Sequence, residues 1–120
     1  MNCKHCGKPI GKHEAGRETD ICTGLALGGQ YKLVYYGDYP TPFTDRMAWA
    51  GSCISHLAAD DNPVDSIMMF YALGEWSVEI HMKTKPGVKE WDSHTVTADT
   101  LPLALCRAVL TLEAVEASDE

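Results

Sequence analysis

Residues 67–73 form an unbroken apolar run, and after Gly74-Glu75 the residues 76–83 alternate between apolar and polar. A period of two places Trp76, Val78, Ile80 and Met82 on one face of a strand and Ser77, Glu79, His81 and Lys83 on the other. Gly74-Glu75 reads as a tight turn, so the two runs are expected to fold back on each other as antiparallel strands. Lys85-Pro86-Gly87 turns the chain again, and residues 90–97 should return as a third, more exposed strand. Asp99 or Thr100 then caps a final helix, with Pro102 in its first turn. Leu101, Leu105, Ala108, Leu112 and Val115 share one face of that helix, expected to pack on the apolar face of 76–82. Arg107, Thr111 and Glu116 lie opposite.

Two further helices precede the sheet. Residues 16–28 read as a short helix with Ile21, Cys22, Leu25 and Ala26 on its apolar side, weakened by Gly24 and stopped by Gly28-Gly29. Thr44 is expected to cap a helix running to about Ala59, where Asp60-Asp61-Asn62-Pro63 breaks it. Met47, Ala50, Ile54 and Leu57 form its expected buried stripe, with Trp49, Cys53 and His56 in a second column. Residues 30–42, rich in tyrosine but punctuated by Gly37, Pro40 and Pro42, are an edge strand or a loop, with extended structure favoured. A chain of 120 residues suits one domain. The expected fold is α+β, a small antiparallel sheet of three or four strands covered by helices. It divides into a hook at 1–15, a single sandwich domain at 16–117 and a frayed acidic tail at 118–120.

The chemistry is concentrated at the start. Cys3 and Cys6 stand two residues apart with Gly7 next, the usual half of a zinc knuckle, in which glycine lets the backbone turn so that both thiolates converge on one ion. No second Cys-x-x-Cys completes it, and His13 and Cys22 are the candidates for the remaining tetrahedral positions. Residues 1–13 are too short and polar to fold without a metal. Zn²⁺ in a structural role is therefore the expected cofactor. An unliganded tail, or a site shared between two chains in a homodimer, are the alternatives. Cys22 also suits a buried helix position, because a free cysteine packs as a small hydrophobe. A thioredoxin-like role for Cys3 and Cys6 lacks the preceding strand and helix start that would activate a thiol.

The remaining candidates have plainer readings. Cys53 and His56 sit three apart on one helix face and fit packing beside Trp49 better than ligation or a thiolate–imidazole pair. His81 falls on the polar face of its strand. Asp60 and Asp61 suit a helix stop better than a paired acid and base, and are the candidate partner-binding residues. Five cysteines with one close pair argue against a disulfide framework. No secretory signal and no membrane-length apolar stretch is evident, so a reducing cytoplasmic setting is expected. Ten basic against 17 acidic residues give a formal charge of −7, which opposes general phosphate-backbone binding and suits docking on basic surfaces.

Three stretches resemble a known family. Pro40-Thr41-Pro42-Phe43-Thr44-Asp45-Arg46-Met47-Ala48-Trp49 is similar to the capped, Ala/Trp-rich helix start of the bacteriophage proteins grouped as the phage ABA sandwich domain. Trp76-Ser77-Val78-Glu79 resembles that family's tryptophan-led strand, and Ala98-Asp99-Thr100-Leu101-Pro102-Leu103-Ala104-Leu105-Cys106-Arg107-Ala108 resembles its closing helix. The likeness covers about 16–117 and consists of caps, turns and packing positions. It implies a sheet covered by helices and a phage or prophage origin, and it supplies no catalytic residue. Residues 1–13 depart from it. The expected function is a non-enzymatic phage accessory protein acting on a host or phage protein by direct contact, for instance by inhibiting a host factor or anti-phage defence. The alternative is a zinc-hook nucleic-acid binder, with Lys4, Lys8, Lys12 and Arg17 on the hook and Tyr31, Tyr35 and Tyr36 as stacking platforms.

Overall fold

Alternation along 76–82 produces the central strand of the sheet. The computed structural model describes residues 1–28, 42–59, 62–83 and 92–118, and within them the fold is α+β. Three antiparallel strands, β1 (Val64–Ala72), β2 (Glu75–Met82) and β3 (Ser93–Ala98), lie in the order β1-β2-β3. Val78, Ile80 and Met82 are buried on the inner face of β2, as the alternation requires. The hairpin turn falls one residue earlier than expected. Ala72 pairs with Glu75, leaving Leu73 and Gly74 as the central residues, with φ of 54° and 81°. Two positive φ values match the right-handed twist of the strands, which is why glycine is needed here and why leucine at the first position is strained. The segment 30–42, expected as an edge strand or a loop, lies outside the described residues except for Pro42.

Of the helices α1 (Arg17–Ala26), α2 (Met47–Leu57) and α3 (Leu101–Ser118), α3 lies against the sheet and the other two pack on α3. None of the described helices is long and apolar enough to cross a membrane. α3 is the centre of the molecule. It packs on β2 and β3, on α2 and on α1, and the short 3-10 turn Ile10–Lys12 also rests on it. Its burial is therefore not confined to the expected stripe: Leu103, Cys106, Val109, Leu110, Thr111 and Ala114 are buried as well. Thr111 tolerates burial because its hydroxyl donates to the Arg107 carbonyl at 2.8 Å. Two apolar clusters meet along this helix. The larger joins Phe43, Ala50, Cys53, Leu57 and the inner sheet face to Leu105, Ala108 and Leu112. The smaller joins Leu110 and Ala114 to Cys3, Ile10 and Cys22.

Both leading helices differ from their expected faces. In α2 the buried line is Ala50, Cys53 and Leu57, and Met47 is exposed. Thr44 does not cap this helix, which starts from Arg46 without a side-chain cap. Thr44 instead accepts the Gly16 N–H at 3.0 Å through its hydroxyl, and its own N–H donates to Asp20 Oδ1 at 2.8 Å. These reciprocal bonds latch the turn before α2 onto the start of α1. The latch explains why the buried face of α1 is Thr19, Asp20, Cys22 and Thr23, while Leu25 is exposed. Polar groups there have polar partners waiting.

Candidate metal centre

The first ten residues form a tight loop closed by its own backbone. The Cys3 N–H donates to the Lys8 carbonyl at 2.8 Å, the Gly7 N–H to the Cys3 carbonyl at 2.9 Å, and the Ile10 N–H to the Met1 carbonyl at 3.0 Å. Gly7 has φ of +78°, a conformation a Cβ would strain, so glycine after the second cysteine is what lets the loop close. The 3-10 turn then carries the chain to His13, whose N–H donates to the Ile10 carbonyl at 3.1 Å. Cys22 comes from the middle of α1.

These elements bring Cys3, Cys6, His13 and Cys22 together, with one ligand atom from each lying within 4.8 Å of all the others. His13 Nε2 is 3.2 Å from Cys6 Sγ. Tetrahedral zinc with Zn–S of about 2.3 Å and Zn–N of about 2.0 Å puts its ligand atoms roughly 3.5–3.8 Å apart, so the donors fit one such ion with little movement. Cys3, His13 and Cys22 are 2%, 3% and 3% exposed, and Cys6 is the most open of the four. Among the described residues no other group of three Cys, His, Asp or Glu side chains could share an ion.

Protonation in and around the cluster suits a cation. The Thr19 hydroxyl donates to the Glu14 carbonyl at 2.6 Å and also lies 3.1 Å from His13 Nδ1. A hydroxyl has one proton, and it is committed to Glu14. Thr19 must therefore accept from Nδ1–H, which leaves the Nε2 lone pair directed at the thiols. Burial lowers the His13 pKa, favouring the neutral ring that a metal needs. The Cys22 thiol is pushed up to about 12, first by burial and then by the neighbouring Cys3 and Cys6. A thiol held protonated in this way gives up its proton when it coordinates a cation, which fits a ligand role for Cys22.

A second layer holds the candidate ligands in place. Arg107 on α3 donates from Nε to the His13 carbonyl at 2.9 Å, from Nη2 to the same oxygen, and from Nη1 to the Thr97 carbonyl on β3. One guanidinium thus fastens the hook to both the central helix and the sheet. Arg107, Leu110, Thr111 and Ala114 recur at helical spacing, and this face, expected to lie away from the core, is the seat of the hook. His5 points away from the cluster, with Nε2 2.5 Å from Glu113 Oε1 on α3. Lys8 Nζ donates to Glu18 Oε2 at 2.8 Å, and this bond raises the lysine pKa and lowers that of the glutamate. Thr19 and Arg107 had not stood out in the sequence. The available signal was a threonine three residues before Cys22 and an arginine as the one basic residue of a mostly apolar helix.

The other candidates fall elsewhere. Cys53 is buried beside Cys106 where α2 meets α3, and the hydrogen bond its S–H donates to that neighbour, followed by burial, holds its thiol protonated. His56 uses its carbonyl to accept the Asn62 side chain and the Ala59 N–H, ending α2. His81, expected to be solvated, is part-buried on the outer face of β2, 3.5 Å from Glu79. Asp60 and Asp61 lie outside the described residues. No family model, curated protein or solved structure matches the chain.

Proposed function

We propose that Cys3, Cys6, His13 and Cys22 hold one structural zinc ion in a non-enzymatic protein that acts by contact with another protein. The observation that carries the metal reading is the closed donor set: three sulfurs and one correctly oriented imidazole nitrogen within 4.8 Å of one another. Sulfur-rich tetrahedral sets suit zinc, and four protein ligands leave no position for a substrate. The ion would cross-link the hook to α1 and cancel most of the thiolate charge.

The wider reading is supported by the charge of −7 and by the three stretches that resemble the phage ABA sandwich domain. On this reading the protein works in the host cytoplasm as a bacteriophage accessory, occupying a basic surface of a host factor or defence component. Encounter with such a partner is steered by charge and weakened by salt.

Elemental analysis of protein purified without chelator is expected to find one zinc per chain, and Cys3→Ser should release it. Absence of zinc would refute the metal reading. For the partner, charge reversal at Asp60 and Asp61 should weaken pull-down or phage-dependent activity, while substitution of His56, His81 and His94 should not. Loss of function from a single one of those histidines, with fold and zinc intact, would point to an enzyme. Salt-sensitive binding to mixed DNA or RNA would point to the nucleic-acid alternative.

A further inference from the structure

The apolar side chains left uncovered by the helices are concentrated on β1. Met68, Met69, Phe70 and Tyr71 are 52%, 41%, 42% and 59% exposed, and Leu73 in the turn is fully exposed. Among the described residues β1 is an edge strand, paired with β2 alone. Residues 66–72 contain no Lys, Arg, Pro or Gly, the residues that usually blunt such an edge.

We propose that β1 pairs antiparallel with β1 of a second copy, joining two three-stranded sheets into one of six across a two-fold axis at Met69. This pairing requires neither the metal nor the host-partner reading above. The register follows from the ends of the strand. A bulge between Val64 and Ser66 interrupts the ladder on one side, and the Leu73-Gly74 turn ends it on the other. The regular stretch is 66–72, and its midpoint is Met69.

Pairing about that midpoint sets Met69 against its own copy, Met68 against Phe70 and Ile67 against Tyr71. Every pair shares a face and none is charged. Moving the axis one residue to Phe70 would set Ile67 against Leu73 and Ser66 against Gly74, residues of the turn rather than of the strand, and so shorten the ladder. The four exposed side chains of the paired stretch present on the order of 400 Å² per chain, at about 200 Å² for each large side chain if fully exposed. With the backbone edge added, the seam stays below the roughly 800 Å² per partner of a standard interface and suits association in the micromolar range. Each body carries a charge of −7, but residues 66–74 carry none, and repulsion between the bodies fades beyond about 8 Å at physiological salt. Added salt should therefore strengthen this dimer, the reverse of its effect on a charge-steered partner.

Sedimentation of the full chain tests the proposal. At about 100 µM, where micromolar self-association is nearly complete, a dimer is expected, and its fraction should rise with salt. Met69→Lys would oppose two ammonium groups at the axis, and Phe70→Lys would place a charge on the other face of the strand. Each should shift the protein to monomer without loss of zinc and with the melting temperature that the parent shows when diluted to monomer. Hydrogen exchange on the unmutated chain gives a readout that survives misfolding of either variant: amides in 66–72 should be more protected at high than at low concentration. A monomer at about 100 µM, a dimer persisting in both folded variants, or a dimer with no concentration-dependent protection at 66–72 would overturn it.

Discussion

Thr19 has one hydroxyl proton, and its commitment to the Glu14 carbonyl decides which nitrogen of His13 faces the thiols. Thr19→Val keeps the shape but removes the acceptor, so Nδ1–H loses its partner and the ring its orientation. Zinc affinity should fall about 10–100-fold with stoichiometry unchanged, as read by competition with a chromophoric chelator. Asp20 poses a different problem, because burial raises its pKa above the ordinary 3.8 although the Thr44 N–H pulls the other way. With the folded value raised, the folded state takes up a proton that the unfolded chain does not. The Asp20 contribution is therefore favourable at low pH and lost as pH rises through the raised value. Asp20→Asn keeps an acceptor for Thr44 without the buried charge and should be at least as stable as the parent at neutral pH, its advantage shrinking on acidification. Asp20→Ala leaves the Thr44 N–H unpaired and should cost about 1–3 kcal/mol by chemical denaturation. The proximity of Cys3, Cys6, His13 and Cys22 was legible because all four lie within one short stretch. The roles of Thr19 and Arg107 were not, because each depends on a partner that spacing does not reveal.

Among the elements, β2 was the easiest to read, since α3 covers one of its faces and the alternation reports that directly. α3 was harder. Its length and main stripe were evident, but a stripe assumes one neighbour, and this helix has the sheet, α2, α1 and the hook around it. Leu105, fully buried at the centre of the main cluster, should cost about 2–5 kcal/mol when truncated to alanine. Met47→Ala, at a position expected to be buried but found exposed, should shift the denaturation midpoint little. The misplacement of Thr44 has the same origin as the polar face of α1. A threonine before a helix resembles a cap, and only the arrival of Gly16 and Asp20 from another element diverts its hydrogen bonds.

At the scale of the whole molecule, the hook is seated against α3 through Ile10, Leu110 and Ala114, so metal loss should be felt well beyond the first 22 residues. Chelation is expected to lower the melting temperature. The zinc-dependent part of the stability should be about 4 kcal/mol when free zinc is about a thousand times its Kd, falling with zinc concentration. A melting curve indifferent to chelator would show that apolar packing alone seats the hook. The ligands lie close together in the chain, so thiolate capture needs only local folding, whereas Arg107 reaches the His13 carbonyl from 94 residues away. For zinc to leave, His13 must swing aside, and its backbone cannot move freely until that guanidinium lets go. Arg107→Ala should therefore speed transfer of zinc to an excess of chelator while leaving one ion per chain at equilibrium, and an unchanged rate would place control with the thiolates alone. On the zinc reading, how long the ion stays would be governed by a residue that never touches it, and exchange would report the opening of the hook against the central helix.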